Sequence, residues 1–339
     1  MTSNSPVKSD GANPGCKARP FLKWAGGKVQ LLPQFQRYYP QELREGKIET
    51  YFEPFLGGGA VFLDIAQNYP IRSAYLCDIN AELILPYRVI QRDPHPLLEI
   101  LEQLSQRYYA LNAEQRHALY YEIRARYNHE RRQIDYACYS PLWIERAAYM
   151  IFLNKTCYNG LFRMNRNGEF NVPYGKYKYP KILDVENVLH VSQLLQIAEI
   201  VSADFTAYET QITDRSFVYF DPPYRPISKT SSFTSYSQSV FTDDDQVKLA
   251  EYYRKLARQT NAKLMLSNSD PTNENLEDRF FDDLYKGFHI FRVSANRMIN
   301  SNAQKRGPIR ELVITNYPCR VETEVRRVHG GQTTVLHRE

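Results

Sequence analysis

The stretch that most constrains the fold lies early in this 339-residue chain. "KIETYFEPF" (47–55) has the apolar and aromatic make-up of a strand, "GGGAVFLDIAQNY" (57–69) reads as a glycine turn entering a helix, and "IRSAYLCDIN" (71–80) reads as a second strand. Strand, helix and strand joined this closely form a βαβ unit, whose two strands run parallel. Parallel sheets are covered on both faces, so the chain is committed to an α/β architecture. The same texture returns from about residue 190. "AEIVSADF", "SFVYF", "AKLMLSNS" and "IRELVITNY" are strand candidates, and "FTDDDQVKLAEYYRKLARQ" (241–259) is a helix. Its N-cap is Thr242, and three aspartates fill the first turn, where the helix dipole favours negative charge.

Between these regions the β signal disappears. "PLLEILEQLSQRYYAL", "AEQRHALYYEIRARYN" and "PLWIERAAYMIFLNK" have helical spacing, the last with Ser140 as N-cap and Pro141 at the first helical position. "LFRMNRNGEFNVPYG" (161–175) then offers two short runs about Asn167-Gly168, a hairpin signal. The expected organisation is a doubly wound, Rossmann-like α/β domain made of residues 20–90 and 190–318. A helical module ending in a hairpin is inserted at 91–189. Residues 1–19, polar and rich in Ser, Gly, Pro and Asn, read as a disordered tail without the apolar segment of a secretory signal. Residues 319–339 form a second tail.

Composition narrows the function classes. With 43% hydrophobic and 24% charged residues, the chain has an ordinary globular balance, and no apolar run approaches the roughly 18–20 residues a membrane helix needs. Its five cysteines, Cys16, Cys77, Cys138, Cys157 and Cys319, are scattered and form no CxxC pair, so neither a zinc site nor a disulfide framework is suggested. The cytoplasm is the expected compartment. The net charge of +5 decides little, but its distribution is informative. Between residues 154 and 181, Lys155, Arg163, Arg166, Lys176, Lys178 and Lys181 stand against Glu169 alone, interleaved with Tyr158, Phe162, Phe170, Tyr174, Tyr177 and Tyr179. Basic residues among aromatics suit a nucleic-acid surface, or else a Tyr-rich solvated loop.

Two places carry the chemistry. "FEPFLGGG" (52–59) ends a strand and opens a helix, and Asp78 closes the next strand, 21 residues after Gly57, where dinucleotide folds place the acidic residue that holds a ribose hydroxyl. The third glycine of the NAD fingerprint falls at Phe62, which weakens that cofactor. In "WAGGKV" the places that a P-loop fills with Gly and with Ser or Thr hold Leu22 and Val29, which weakens ATP. S-adenosylmethionine remains, an adenosine carrier without phosphate. The second place is "FVYFDPPYRP" (217–226), a buried strand ended by two prolines. An exocyclic amine on a base is a poor nucleophile because its lone pair is delocalised into the ring. Acceptors for both amine protons localise that pair. The Asp221 carboxylate can supply one acceptor, the Pro222 carbonyl the other, and Tyr224 can stack on the base.

"FLKWAGGK", "FEPFLGGGAVF" and "DPPY" in this order resemble the α-group amino-methyltransferases of DNA. "TCYNGLFRMNRNGEFNVPYGKY" and "DPPYRPISKTSSFTSY" resemble more closely the DNA adenine methylase (Dam) family, which methylates adenine N6 in GATC. The likeness spans about residues 20–318. It implies S-adenosyl-L-methionine as cofactor, held by Trp24, Lys28, Gly57, Asp78 and Asp221, with Asp204 and Phe205 at the cofactor adenine. It implies double-stranded DNA as partner, without an obligate protein partner. Lys23 would read the first guanine, Tyr158 would wedge into the duplex beside Asn159, and Leu161, Arg163 and Pro173 would read the outer half of the site. Direct transfer to a flipped base needs no metal and no covalent intermediate. Both a solitary methylase and the modification half of a restriction pair carry these motifs.

Other readings compete at single residues: Trp24 as core, Lys28 as a surface charge, Asp204 as a strand-end cap, Arg163 as a phosphate contact. "YPC" (317–319) has the spelling of a cytosine-C5 nucleophile, but stands beyond every other motif. Cytosine-N4 methylation and a catalytically silent DNA-binding protein are the remaining alternatives. The Ser- and Thr-rich loop 225–241 is expected to act as a lid.

Overall fold

The computed structural model describes residues 17–225, 241–295 and 309–319. The expected N-terminal tail up to residue 16, most of the expected lid (226–240) and the C-terminal tail from residue 320 lie outside the described residues. Seven strands form one sheet: β1 (Thr50–Glu53), β2 (Ser73–Asp78), β3 (Ala198–Ser202), β4 (Ser216–Phe220), β5 (Lys263–Ser269), β6 (His289–Ala295) and β7 (Ile309–Thr315), in the order β3-β2-β1-β4-β5-β7-β6. The pairs β2–β3, β1–β2, β1–β4 and β4–β5 are parallel, whereas β7 runs antiparallel to both β5 and β6. The expected α/β class and the βαβ unit are both present. β6 was not anticipated: "HIFRVSA" mixes apolar residues with His289 and Arg292 and shows no clean alternation.

The sheet divides the core. Along β4, Phe217 and Tyr219 join one apolar cluster, with Tyr51, Phe62, Met265 and Val313. Val218 and Phe220 join the other, with Phe52, Leu264, Leu266, Leu312 and Tyr253. This is the period-two alternation of a strand buried on both faces. Helix α1 (Ala60–Asn68) crosses from β1 to β2, and α2 (Ala81–Arg92) follows β2, with Asn80 as its side-chain N-cap.

Three helices then leave the sheet: α3 (Pro94–Ala110), α4 (Ala113–Glu130) and α5 (Leu142–Thr156). Helix α6 (Val185–Leu195) returns the chain to β3. The expected module edges at 91 and 189 therefore fall inside α2 and α6. Pro141, not Ser140, occupies the N-cap of α5, and Ser140 contributes only its carbonyl, to the Trp143 amide. A buried ion pair joins the module to α2: Arg146 Nε donates to Glu82 Oε2 at 2.9 Å, and the Tyr127 hydroxyl donates to the same oxygen at 2.9 Å.

The hairpin after α5 is looser than expected, reduced to isolated antiparallel bridges at Cys157–Tyr174 and Met164–Phe170. Its tip is a turn closed by the Gly168 amide on the Asn165 carbonyl at 2.9 Å, with Gly168 at φ +74°. The Asn165 side chain accepts from the amides of Asn167 and Glu169, so an Asx turn sets the tip and Asn167 needs no left-handed backbone.

Candidate active site

The strand order reverses direction between β1 and β4. In open α/β sheets, ligands bind outside the carboxyl ends of the strands at such a switch point. Glu53, Asp78 and Phe220 end β1, β2 and β4 there, and Asp221 follows directly.

Asp221 is gripped from two sides. Lys28 Nζ lies 2.8 Å from Oδ2, and the Ser267 hydroxyl donates to Oδ1 at 3.0 Å. Ser267 in turn shares a hydrogen bond of 2.7 Å with the Tyr219 hydroxyl. Burial pushes the Asp221 carboxyl above its ordinary value, while the Lys28 ammonium and the Ser267 hydroxyl pull it back down. Each carboxylate oxygen has two lone pairs, so Asp221 retains capacity for further donors. Lys28 is 3% exposed, which removes the surface-charge reading. Its ammonium also donates to the Gly26 carbonyl at 2.5 Å and sits 4.6 Å from the centre of the Tyr224 ring.

The tetrad itself is braced. Pro222 is buried, and among the described residues no donor reaches its carbonyl. The Pro223 carbonyl accepts from Gln246 Nε2 at 3.1 Å, and the Tyr224 hydroxyl donates to Glu311 at 2.5 Å. Ser267, Gln246 and Glu311 were missed by sequence reasoning. The signal available for two of them was a polar residue inside a strand, Ser267 in "LMLSNS" and Glu311 in "IRELVIT".

The glycine turn lies one strand away. The Asp78 carboxylate accepts from the Gly57 amide at 3.1 Å and the Asn80 amide at 3.0 Å. Burial raises its pKa and those two amides oppose the rise. Gly57 has φ +50°, and a Cβ there would sit 3.3 Å from Trp24 Cδ1. Trp24 therefore lies against the turn, partly exposed rather than core, and stacks on Phe162 with ring centres 5.2 Å apart. Beyond β3, Phe205 stacks on Phe55 at 5.6 Å. Asp204 is exposed and caps its own turn, accepting from the amide and hydroxyl of Thr206. The strand-end role weighed for Asp204 is thus present.

The hairpin residues form a separate group. Tyr158 is 54% exposed, its amide bonded to the Pro173 carbonyl at 2.8 Å. Asn159 adopts φ +55°, and its amide donates to the Tyr177 hydroxyl. Arg163 is exposed and donates to Asn171 Oδ1 at 2.7 Å, while Leu161 is half-buried and Pro173 exposed. Lys23 is exposed, its Nζ 5.3 Å from the centre of the Tyr177 ring. Lys23 therefore reaches this group from the loop that carries Trp24. Cys319 does not: β7 runs antiparallel, so the chain beyond Thr315 departs from the edge opposite to Asp221, and the thiol sits against the Tyr38 carbonyl. The cytosine-C5 reading fails on that geometry.

The family model for D12 class N6 adenine-specific DNA methyltransferases matches residues 24–299. This chain belongs to that family. Several curated relatives match along most of this chain. A protein named Type II methyltransferase M.MjaIII, from Methanocaldococcus jannaschii, is 48% identical over 89% of this chain and 100% of its own. Type II methyltransferase M1.LlaDCHI of Lactococcus lactis subsp. cremoris is 36% identical over 88% and 95%. The DNA adenine methylase of Escherichia coli (strain K12) is 32% identical over 89% and 96%. The D12 chain is accordingly an N6-adenine DNA methyltransferase and its substrate is DNA. None of its described helices is long and apolar enough to cross a membrane.

Proposed function

We propose that the chain transfers a methyl group from S-adenosyl-L-methionine to adenine N6 within GATC in duplex DNA, on a base flipped out of the stack. The observation that carries this is the grip on Asp221: a half-buried carboxylate paired with Lys28, bonded by Ser267, and followed by two prolines and an aromatic ring. The residues present fit the donor. Asp78 can hold the ribose hydroxyls, and Trp24 over the glycine turn, with Phe55 and Phe205, offers aromatic and apolar walls for an adenosine. When bound, the donor supplies an electrophilic methyl group. This chain's own residues then prepare the nucleophile. Asp221 and the Pro222 carbonyl accept hydrogen bonds from the two amine protons, one of which is released as the N–CH3 bond forms, and Tyr224 offers its ring to the flipped base. The Lys28 ammonium favours the ionised Asp221 carboxylate against the rise that burial causes.

GATC rests on the likeness of the 156–177 segment to the Dam family; relatives from Vibrio cholerae and Escherichia coli are named DNA adenine methylase. The decisive assay is transfer from tritium-labelled S-adenosylmethionine to duplexes carrying GATC or a single substitution within it, followed by identification of the modified base. Label on adenine N6 restricted to the GATC duplex is the expected result. Equal labelling of every duplex would remove the specificity, label on cytosine would point to N4 chemistry, and absence of label would remove the donor.

A further inference from the structure

The loop that carries the candidate cofactor residues and the hairpin that carries the candidate DNA readers are bonded into one junction. Asn154, near the end of α5 and 1% exposed, spends its whole side-chain amide there. Its Oδ1 accepts from the Lys23 amide at 2.8 Å, and its Nδ2 donates to the carbonyls of Lys23 and Gly160, each at 2.9 Å. Gly160 holds φ +64°, and a Cβ there would fall 2.3 Å from Lys23 Cδ, so the Gly160 backbone packs against the Lys23 side chain as closely as glycine permits.

A second contact is independent of the first. Residues 161–163 run extended beside their partner segment, so alternate side chains face opposite ways. Leu161 and Arg163 reach the more exposed side, while Phe162, 8% exposed, points inward and stacks on Trp24. The ring that backs the reading face is thus the floor of the cofactor tryptophan. A duplex seated against Leu161 and Arg163 would bear on Phe162, and through the ring stack on Trp24, and a cofactor seated on Trp24 would bear on the same stack from the other side.

We infer that Phe162 and Asn154 are positioning residues that couple DNA binding to cofactor binding, an inference that rests on the proposed placement of both ligands. Coupling between two sites is reciprocal, and typical factors are about 5–150. The test titrates S-adenosylhomocysteine, which cannot react, by calorimetry with and without a saturating GATC duplex. The wild type should bind it at least about 5-fold more tightly with the duplex. Phe162→Leu and Asn154→Ser should bring that factor to within about twofold of unity, whereas Phe162→Tyr, which keeps the ring, should preserve it. A merely structural role would lower the melting temperature and weaken both ligands while leaving the factor intact, and that result overturns the proposal. A wild-type factor of one overturns it as well. If S-adenosylhomocysteine does not bind even to the wild type, the cofactor assignment itself has failed, which is a different outcome from uncoupled binding. The two substitutions remove different contacts of the junction, the Asn154–Lys23 bonds and the Phe162–Trp24 stack, so a loss of fold in one leaves the other to decide.

Discussion

Asp221 and Arg163 are both charged residues at a proposed site, and they are held in opposite ways. Asp221 is bonded by Lys28, which is itself almost fully buried, and by a serine inside the sheet. Arg163 is exposed, and its recorded partner is Asn171, across the same hairpin. The first environment fixes the direction of the carboxylate before substrate arrives and sets burial against a neighbouring ammonium, as preorganised electrostatics require. The second fixes only a backbone path, through the bridges at Cys157–Tyr174 and Met164–Phe170, and leaves the side chains to be exchanged for base edges. On the proposed reading, chemistry is stored in the sheet and recognition in a loosely paired ribbon. Substitutions in the two places should fail in different ways.

Asp221→Ala should cause the largest loss. Removing one preorganised group from such a centre costs about 10²–10³-fold in rate, and here the acceptor itself disappears. DNA affinity, which rests mainly on phosphate contacts, should remain. Single-turnover transfer and duplex binding, measured side by side, check this; near wild-type transfer would mean that Asp221 is not the clamp.

Lys28→Met comes next and separates charge from position. The Asp221 pKa is raised by burial and lowered by Lys28, and only the ionised carboxylate offers both oxygens purely as acceptors. Without the ammonium its pKa rises further, because a buried carboxylate that loses its partner is neutralised by taking up a proton. The acid limb of the rate–pH profile, measured at saturating donor and DNA, should move to higher pH, with activity partly recovered by raising the pH. An unmoved limb would show that Lys28 holds the cofactor without tuning Asp221.

How much of this was legible in the sequence follows the same division. Strand β4 and the tetrad could be read because a fully apolar run stopped by two prolines admits few alternatives. Helix Asp243–Gln259 could be read because Thr242 forms its capping box with Asp245. What stayed hidden depends on distant neighbours. Nothing near Ser267 or Glu311 in the chain says that they meet Asp221 and Tyr224, 46 and 87 residues away. Asn154 looked like one polar residue at the end of a helix, although its amide closes the junction with Lys23, 131 residues away. The hairpin was expected from Asn167-Gly168, but Asn165 organises the turn, because an Asx side chain can replace the backbone bonds a regular hairpin would use.

On the recognition side, Arg163→Ala should be milder in rate and stronger in specificity. A bidentate base contact is worth about 1–3 kcal/mol, so discrimination at one outer base should relax about 10- to 100-fold. Loss of the Asn171 bond alone would lower rates equally on every duplex. A panel of singly substituted duplexes distinguishes the two, and uniform loss would assign Arg163 to the backbone.

Lys178→Ala should give the smallest effect and the cleanest control. Lys178 is exposed, its ammonium 5.4 Å from the centre of the Tyr179 ring, in the basic and aromatic stretch that follows the hairpin. Its backbone is tied down independently of its side chain, since its carbonyl accepts from Arg116 on α4 at 3.2 Å. Truncating it should therefore leave the hairpin in place and remove one mobile positive charge. A charge that neutralises one phosphate releases about one counterion, so the slope of log affinity against log salt should flatten by about one. Affinity should fall alike for GATC and for altered duplexes, because a phosphate contact carries no sequence information. A salt slope unchanged from wild type would place Lys178 off the DNA path. A loss confined to GATC would mean that the reading surface extends past Pro173 into the residues that follow, and that the recognition ribbon is longer than the hairpin.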